Sequence, residues 1–465
     1  MSSPCPSRSA RRTVGAFLAL AMTLSAAAGI GARFPSEKKI VPDPVTGLPL
    51  TFLTSQPVGD SKIYQTHHQW TCDGQWLVFR SNRVKGQAMA VNERTGDIVQ
   101  VTQGGYTGML CLADHTMSLY FARFATTNAP ADVGAATAYP GAPGTHGGAP
   151  SETAEIVRVD LAKLFADSAG GRVGAATEYE HVCGTIPAEM GAVGDVALDP
   201  TEDFVYFRVG SKEYAARHLA PGTKAEDNYG PRHMGAGPTG LAKMNLHTGA
   251  VTFIVAVPFQ IGHVQTNPWV PGEIVFCWET GGKSPQRTWI VNADGSGLRP
   301  LYPEAPYEWV THEAVITRDE VALAIMGHQP VGHRDEWGAA GTREHPTGLA
   351  IVNLRTREMR IAGQTKHGSG FWHVNGSPDG RWAVGDDFDR NLWLIDRHTD
   401  EMRLLSTGHK PTAADHPHPT FSPDSTRIEI QSAMLSANNR SMNLCVIPVP
   451  ADWLKRTYAE SLGQK

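Results

Sequence analysis

The stretch "SPDGRWAVGDD", residues 377–387, joins a tight polar turn to an apolar run. Pro, Asp and Gly are favoured in tight turns, and the run beyond them has the ordinary length of a strand. Related stretches occur seven times in the 465-residue chain, from "TCDGQWLVFR" (71–80) to "SPDSTRIEIQS" (422–432). A turn-and-strand unit repeated every few tens of residues is typical of β-sheet repeat architectures.

A second element follows each unit. It is a further strand, often with a polar turn and one more strand, as in "LWLIDRHTDEMRLL" (392–405). Because no helical periodicity interrupts these repeats, we predict an all-β fold, a seven-bladed β-propeller of four-stranded blades over residues 34–465. We expect "LPLTFLTSQ" (48–56) to add a strand to the last blade and close the ring, which removes open sheet edges.

Two intervals between repeats are too long for a compact blade. Residues 125–155 are of low complexity, rich in Ala, Gly and Pro, and residues 211–238 are largely polar. We predict loop insertions at both places, in the second and third blades, because long connections run over the protein surface.

The first 28 residues have the pattern of an export signal. Arg11 and Arg12 precede an apolar stretch, which is followed by small residues including Ala26 and Ala28 in an A-x-A arrangement. The apolar stretch is too short for a transmembrane helix, and no later segment is apolar enough to span a membrane. We therefore expect a periplasmic or secreted protein, exported by the twin-arginine route or by an ordinary signal.

Charge and cysteine content exclude two classes of function. The chain has 41 basic and 46 acidic residues without a basic block, so nucleic acid is not an expected partner. Five cysteines lie beyond the signal, an odd number without close pairing, and several occur in strand-like runs. We expect them to pack mainly as apolar residues and not to build a zinc site.

Histidines recur at nearly one phase of the repeat. In five of the seven blades a histidine lies six to eight residues ahead of the turn: His67, His263, His312, His373 and His418. In a propeller this position is the start of the innermost strand, where side chains converge on the central channel. Convergent imidazoles favour a transition metal over calcium. The alternative is that they cap the ends of inner strands without binding anything.

The stretch "DHPHPTFSPD" (415–424) adds a second histidine to the last blade. Its two prolines favour an extended backbone, in which residues two apart point the same way. His416 and His418 can therefore face one ion together. A histidine-rich surface turn is the alternative interpretation.

From "IGHVQTNP" (261–268) through "VTHEAV" (310–315) to "DHPHPTFSPD", the chain resembles the oligogalacturonate lyase family, polysaccharide lyase family 22. The resemblance implies a seven-bladed propeller that cleaves short pectic fragments by β-elimination with a divalent metal, typically Mn²⁺. It also implies individual roles, which are metal ligation for His312, His416 and His418, and Brønsted base catalysis for His263.

The chain departs from the family pattern at two positions. Ala413 stands where the family has a metal-ligand glutamine, and Gly240 aligns with the arginine that the family places near the substrate. Asp415, His373 or a water molecule are candidates to complete the metal shell. The candidate substrate-binding residues are Arg232, His373 and His67.

The resulting hypothesis is a metal-dependent β-elimination lyase acting on uronate-containing oligosaccharides such as oligogalacturonate. Two alternatives remain open. One is an exported metal-dependent enzyme that acts on another glycan or glycoside, and the other is a propeller that binds sugars or peptides without catalysis.

Overall fold

Seven antiparallel β-sheets are arranged in a ring, so the protein is a seven-bladed β-propeller and the predicted fold class is confirmed. The computed structural model describes residues 29–125, 153–230, 232–306, 308–327, 348–364 and 370–458. The predicted signal and residues 126–152 of the predicted insertion lie outside the described residues. Among the helices in the described ranges, none is long and apolar enough to cross a membrane.

The first half of the chain contains strands β1 to β15. Their bounds are β1 Arg33–Phe34, β2 Lys39–Pro42, β3 Pro49–Phe52, β4 Asp60–Lys62, β5 Trp76–Ser81, β6 Gln87–Asn92, β7 Ile98–Gln100, β8 Thr107–Leu112, β9 Ser118–Phe124, β10 Ala154–Asp160, β11 Glu180–Ile186, β12 Ala192–Leu198, β13 Phe204–Val209, β14 Ala236–Asn245 and β15 Val251–Phe259. Helix α1 is Leu161–Ala169 and helix α2 is Lys212–Ala216. The second predicted insertion thus lies between β13 and β14 and includes α2.

The second half contains strands β16 to β30. Their bounds are β16 Ile261–Thr266, β17 Glu273–Trp278, β18 Thr288–Asn292, β19 Arg299–Pro300, β20 Glu308–Thr317, β21 Glu320–Gly327, β22 Gly348–Asn353, β23 Met359–Gly363, β24 Phe371–Gly376, β25 Trp382–Asp387, β26 Leu392–Asp396, β27 Met402–Ser406, β28 Thr420–Phe421, β29 Arg427–Ser432 and β30 Asn443–Pro448. Helix α3 is Ala451–Leu454, and two 3₁₀ turns cover Ala176–Glu178 and Ala188–Met190.

Each blade begins with its innermost strand. Blades 1 to 6 are built on β4–β7, β8–β11, β12–β15, β16–β19, β20–β23 and β24–β27, and blade 7 combines β28–β30 with β3. Blades 1 and 7 differ from the predicted four strands because β1 pairs with β7 and β2 pairs with β3. These short fifth strands cover outer sheet edges that would otherwise expose unpaired backbone groups.

The N-terminal strand closes the ring, as the sequence predicted. In the pairing of β3 with β30, Thr51 lies opposite Val446 and Phe52 opposite Cys445. Leu50 and Phe52 are fully buried and belong to the apolar core shared by blades 6 and 7. Closure therefore depends on both backbone pairing and packing.

A side-chain hydrogen bond explains the repeated turn. In blade 6, Ser377 Oγ donates to Asp379 Oδ1 over 2.6 Å and accepts from Trp382 N–H over 2.8 Å. Ser422 and Asp424 repeat the first contact in blade 7 at 2.6 Å. The motif fixes the turn and the first residue of the next strand together, and Thr71 and Asp73 form the same contact in blade 1 at 2.6 Å.

The cysteines fall mostly where the sequence placed them. Cys111, Cys277 and Cys445 are buried, Cys183 is half-buried and Cys72 is exposed, and all five are free thiols. Cys72 is the exception to the expected apolar packing.

We predict that the fold loses stability in mild acid. Burial lowers the pKa of His67 and of His409 to about 4. Below the ordinary histidine pKa of about 6.5 the unfolded chain therefore binds protons that the folded chain does not. The free energy of unfolding should fall as pH decreases from about 6.5 toward 4, by up to about 1.4 kcal/mol per pH unit for each histidine. Denaturant titrations at several pH values measure this slope.

The double variant His67→Gln/His409→Gln should have a shallower slope, although its stability at neutral pH will be lower. His247→Ala is the control, because His247 is an exposed histidine paired with Asp203 at 2.7 Å. An unchanged slope in the double variant would contradict the assignment.

Candidate active site

Irregular inner strands bring histidines to the channel. The register of β16 shifts between Gly262 and Gln265, and that of β20 between Thr311 and Ala314. The histidine inside each shift has a positive φ, 50° for His263 and 55° for His312, and His418 ahead of β28 has a φ of 52°. Residues other than glycine seldom adopt this backbone conformation. Such strain persists only where surrounding structure holds it, and it concentrates at functional sites.

Five imidazoles form one group, called here the histidine cluster: His263, His312, His373, His416 and His418. The distance between ring centroids is 6.1 Å for His263 and His312 and 4.2 Å for His312 and His373. His373 is also 3.6 Å from His418 and 5.4 Å from His416. The structure thus brings together the predicted histidines of blades 4 to 7, with His373 at their centre.

His67 lies apart from the histidine cluster. Its Nε2 is 2.9 Å from the carbonyl oxygen of Val196 on β12, and its Nδ1 is 2.8 Å from Thr66 Oγ1. In blade 1 the residue beside the cluster is Tyr64, whose ring centroid lies 5.1 Å from His263 and 5.5 Å from His418. The substrate-binding role of His67 stays a prediction.

One buried carboxylate orients two rings of the cluster. Asp386 on β25 lies 3.1 Å from Nδ1 of His373 and 2.7 Å from Nδ1 of His416. Burial alone would raise the pKa of Asp386, but the two imidazoles outweigh it and hold the pKa at about 2. A carboxylate on Nδ1 that directs Nε2 away from itself is the arrangement common among metal-bound histidines.

The other rings are held in the same manner. His312 Nδ1 contacts the carbonyl oxygen of Trp372, and His418 Nε2 lies 3.1 Å from Asp415 Oδ2. The carboxylate of Asp415 also accepts hydrogen bonds from the backbone N–H of His416 and, over 3.1 Å, from the amide of Gln431. Ring orientation is therefore set by oxygen atoms throughout the cluster.

Burial keeps three imidazoles of the cluster neutral. It lowers the pKa of His373 to about 4, although Asp386 opposes the change, and it lowers the pKa of His312 and of His418 well below the usual value. A divalent transition-metal ion binds the neutral imidazole, and oriented neutral imidazoles beside a carboxylate are its usual ligands. The residues present therefore fit such an ion.

A second charged group surrounds His263. Its Nε2 lies 3.4 Å from Glu279 Oε2 and its Nδ1 lies 3.2 Å from Glu313 Oε1. Arg287 is 3.2 Å from the same oxygen of Glu279 and 3.6 Å from Glu313 Oε2. Burial would raise the pKa of Glu279, but Arg287 and His263 outweigh it and lower the pKa to about 2. Both glutamates are thus ionised and face one permanent cation.

The two groups differ in their suitability for a metal. His263, Cys277 and Glu279 offer ligand atoms within 4.8 Å of one another, as do His373, Asp386 and His416. Burial raises the pKa of the Cys277 thiol well above its usual range, and Arg287 already neutralises Glu279. The set around Asp386 is therefore the better cation site.

The two departures from the family pattern have structural counterparts. Ala413 packs in a small apolar cluster with Ala433 and Met442 and offers no ligand atom. A Cβ at Gly240 would lie 2.7 Å from the ring of Phe253, so no arginine fits there without a shift. Arg232, the suggested replacement, is exposed and packs over Gly281, two residues beyond Glu279 in the chain.

Sequence reasoning missed the acidic partners of the histidines. Asp386, Glu279 and Glu313 are all buried, and each lies in or directly beyond an apolar strand. Buried carboxylates are rare unless they are paired, so an acidic residue within such a run is a usable signal. Which histidine each one meets depends on neighbouring strands and blades, which a single sequence does not reveal.

Fold and site together define a seven-bladed propeller with a buried histidine and carboxylate centre suited to a divalent metal. No family model matches the chain. Over 209 residues, 40% of this chain, it is 24% identical to the oligogalacturonate lyase of Dickeya dadantii (strain 3937). Over 215 residues it is 22% identical to the oligogalacturonide lyase of Pectobacterium atrosepticum. The matched part spans about half (50%) of the length of each of these curated relatives.

Two solved structures share the fold over nearly the whole chain. An oligogalacturonate lyase in complex with manganese superposes with a TM-score of 0.66 at 19% identity, covering 92% of this chain and 100% of that one. An oligogalacturonate lyase from Vibrio parahaemolyticus also gives a TM-score of 0.66, at 18% identity, covering 91% of this chain and 100% of that one. The chain is therefore similar in sequence to oligogalacturonate lyases over part of its length, at low identity, and shares the fold of two solved ones.

We predict that Asp386→Asn weakens metal binding. The substitution keeps the shape of the side chain but removes the charge that orients His373 and His416. Loss of such a partner typically lowers metal affinity by about 10–100-fold. Calorimetric titration with Mn²⁺ measures the effect.

Asp387→Asn is the matched control, because Asp387 is the next residue on β25 and binds Asn391 and Trp393 instead of the histidines. Equal Mn²⁺ affinity in both variants would place the ion elsewhere.

Proposed function

We propose that the protein is a metal-dependent lyase that cleaves oligogalacturonate by β-elimination. The observation that carries the proposal is the position of His263, whose ring centroid lies 6.1 Å from His312 in a cluster that fits a divalent metal. The matches to oligogalacturonate lyases support the same activity. The predicted signal supports a periplasmic or secreted location, with an acidic oligosaccharide as the substrate.

The candidate metal ligands are His312, His416 and His418, as the family resemblance implies, and we add His373. His373 stacks on His418 and approaches both other rings, so it would help to hold an ion bound among them. Mn²⁺ is the proposed ion, because a structure with the same fold is a manganese complex. A bound divalent cation would neutralise the uronate carboxylate and stabilise the charge that develops as the adjacent proton leaves.

His263 is the proposed base that removes this proton from the carbon beside the carboxylate. Glu313 faces Nδ1 and Glu279 faces Nε2, and Arg287 offsets part of their charge. Two carboxylates and one guanidinium leave a net negative surrounding, which stabilises the imidazolium that forms when His263 accepts the proton. The ring and its partners are buried, which excludes water and strengthens these interactions.

An enzyme that acts on another glycan is the second candidate. Ala413 in its apolar cluster and the crowded position of Gly240 favour it, because both differ from the family pattern at places linked to metal and substrate. The metal site is common to both candidates, so only the product separates them.

We predict that the protein with Mn²⁺ and a short oligogalacturonate produces rising ultraviolet absorbance. Elimination creates a C4–C5 double bond conjugated with the carboxylate, which hydrolysis and binding do not. His263→Ala should lower the rate by about 10²–10⁴-fold, the usual contribution of a positioned base. Bound Mn²⁺, measured by metal analysis, should remain.

His247→Ala, at an exposed histidine in the turn between β14 and β15, should keep full activity. Loss of Mn²⁺ from His263→Ala would overturn the base assignment. A metal-loaded protein that gives no absorbance change with any uronate-containing oligosaccharide would favour the second candidate.

A further inference from the structure

We propose that Arg80 forms a carboxylate-binding subsite beside the histidine cluster, for the acidic group of a second uronic acid in the substrate. The inference rests on the proposed function for the identity of the substrate, but its geometry is independent of the reaction. Arg80 would supply the substrate recognition that Gly240, at the position of the family arginine, cannot provide because it has no side chain.

The described inner strand of blade 2, β8, contains no histidine. The register of β8 shifts between Thr107 and Leu110, as in β16 and β20, and Gly108 inside the shift has a φ of 70°. Gly108 thus occupies the place that His263 and His312 hold in their own strands. A Cβ there would lie 1.9 Å from the carbonyl oxygen of Gly194, so a side chain cannot replace it.

Arg80 reaches this level of the channel from blade 1. On β5 it lies opposite Ser61 of the innermost strand β4, and its Nη2 donates to the carbonyl oxygen of Gly108 over 3.1 Å. The same nitrogen lies 3.4 Å from Met109 Sδ. The guanidinium therefore stands where blade 2 lacks its own polar side chain, and it is only half-buried.

Arg208 provides an internal comparison. It holds the same place in β13 as Arg80 in β5, fifth of six residues in each, and its Nη1 donates to the carbonyl oxygen of Ile261 in the next blade over 2.6 Å. Arg208 Nε lies 3.2 Å from Asp195, and Arg287 is likewise paired with two glutamates. Both of these inward arginines are already neutralised.

Arg80 has no such partner. Within the described part of the chain, no carboxylate forms an ion pair with it, and its buried Nε has no hydrogen-bond acceptor. A buried donor without an acceptor is costly and uncommon in folded proteins. An acceptor from the substrate would satisfy it.

The guanidinium lies in the same region of the channel as the proposed metal site. Ser61, opposite Arg80, is followed on β4 by Lys62, whose Nζ donates to Thr420 Oγ1 over 2.8 Å, two residues beyond His418. Lys62 also donates to the Ile63 carbonyl over 3.0 Å, so its charge is engaged there. Arg80 donates to the carbonyl of Gly108, and its guanidinium keeps further N–H groups for a ligand.

A guanidinium recognises a carboxylate through two parallel hydrogen bonds. Each sugar of an oligogalacturonate carries one carboxylate, and the proposed reaction uses one of them at the metal. Arg80 is therefore placed for the carboxylate of a neighbouring sugar. This makes a run of at least two uronic acids the preferred substrate.

The test compares acid and ester. Trigalacturonate and its methyl ester are titrated by calorimetry into Mn²⁺-loaded His263→Ala protein with and without Arg80→Met. Removing a charge-assisted contact should weaken binding of the acid by about 10–100-fold. Affinity for the ester should change little, so the preference for the acid should shrink by the same factor. Arg80→Lys keeps the positive charge but cannot form two parallel hydrogen bonds, so its affinity for the acid should lie between those of the parent protein and Arg80→Met.

Arg360→Met is the matched control, because Arg360 is a surface arginine paired with Asp400 at 3.0 Å. It should leave both affinities unchanged. If Arg80→Met weakens acid and ester equally, or neither, the subsite is refuted. A thermal midpoint close to that of the parent protein is required of each variant, and Arg80→Lys serves as the test should Arg80→Met fail to fold.

Turnover separates this inference from the proposed function. In the active protein, Arg80→Met should raise KM for trigalacturonate and leave kcat nearly unchanged, because the contact is remote from the proton that is removed. Selective loss of acid binding without any elimination by the wild-type protein would retain the subsite and reject the lyase. Elimination by the wild-type protein, with an unchanged preference for the acid in Arg80→Met, would retain the lyase and reject the subsite.

Discussion

The pairing of β3 with β30 is the contact on which the rest of the structure depends. It ties the N-terminal segment to the last blade and so places blade 7 beside blade 1. Tyr64, just after the first inner strand, then lies 5.5 Å from His418, just before the last one. The site is assembled across this junction, so its geometry exists only in the closed ring.

The buried charged residues at the channel form two groups, which differ in how well they can bind a cation. Within the described part of the chain, the ion-pair partners of Asp386 are imidazoles, and its charge supports a site with net affinity for a cation. Glu279 and Glu313 share Arg287, which offsets one of their two negative charges. Because charges interact strongly where water is excluded, the presence or absence of one guanidinium decides which side binds metal and which side stabilises a protonated ring.

The sequence predicted the fold because a propeller repeats one short unit. The Ser377 and Asp379 contact recurs at equivalent turns, and a repeat of this kind is visible without any knowledge of contacts. The histidine phase located His263, His312 and His373 on inner strands for the same reason. The same phase also placed His67 on an inner strand, but in the structure β4 ends at Lys62 and His67 lies in the irregular turns beyond it.

The acidic partners of the histidines could not be predicted from the sequence for a different reason. A carboxylate on a second strand, such as Asp386, meets histidines of its own blade and of the next, and that meeting depends on register and bulges. Register shifts are set by packing between strands, which the repeat pattern does not encode. The same limit applies to Arg80, whose role depends on Gly108 in another blade.

The two differences from the family pattern lie in different blades. Around His263 and His312 the matching motifs are intact, whereas Ala413 precedes β28 of blade 7 and Gly240 lies on β14 of blade 3. Burial raises the pKa of Asp415 to about 7, against the opposing effect of His416. Under the proposed function, an intact motif around the base together with altered ligand and recognition positions is the pattern expected when elimination is constant and substrate binding has changed. The physical reason is that proton removal needs one fixed geometry, whereas a carboxylate can be held by any cation that reaches it.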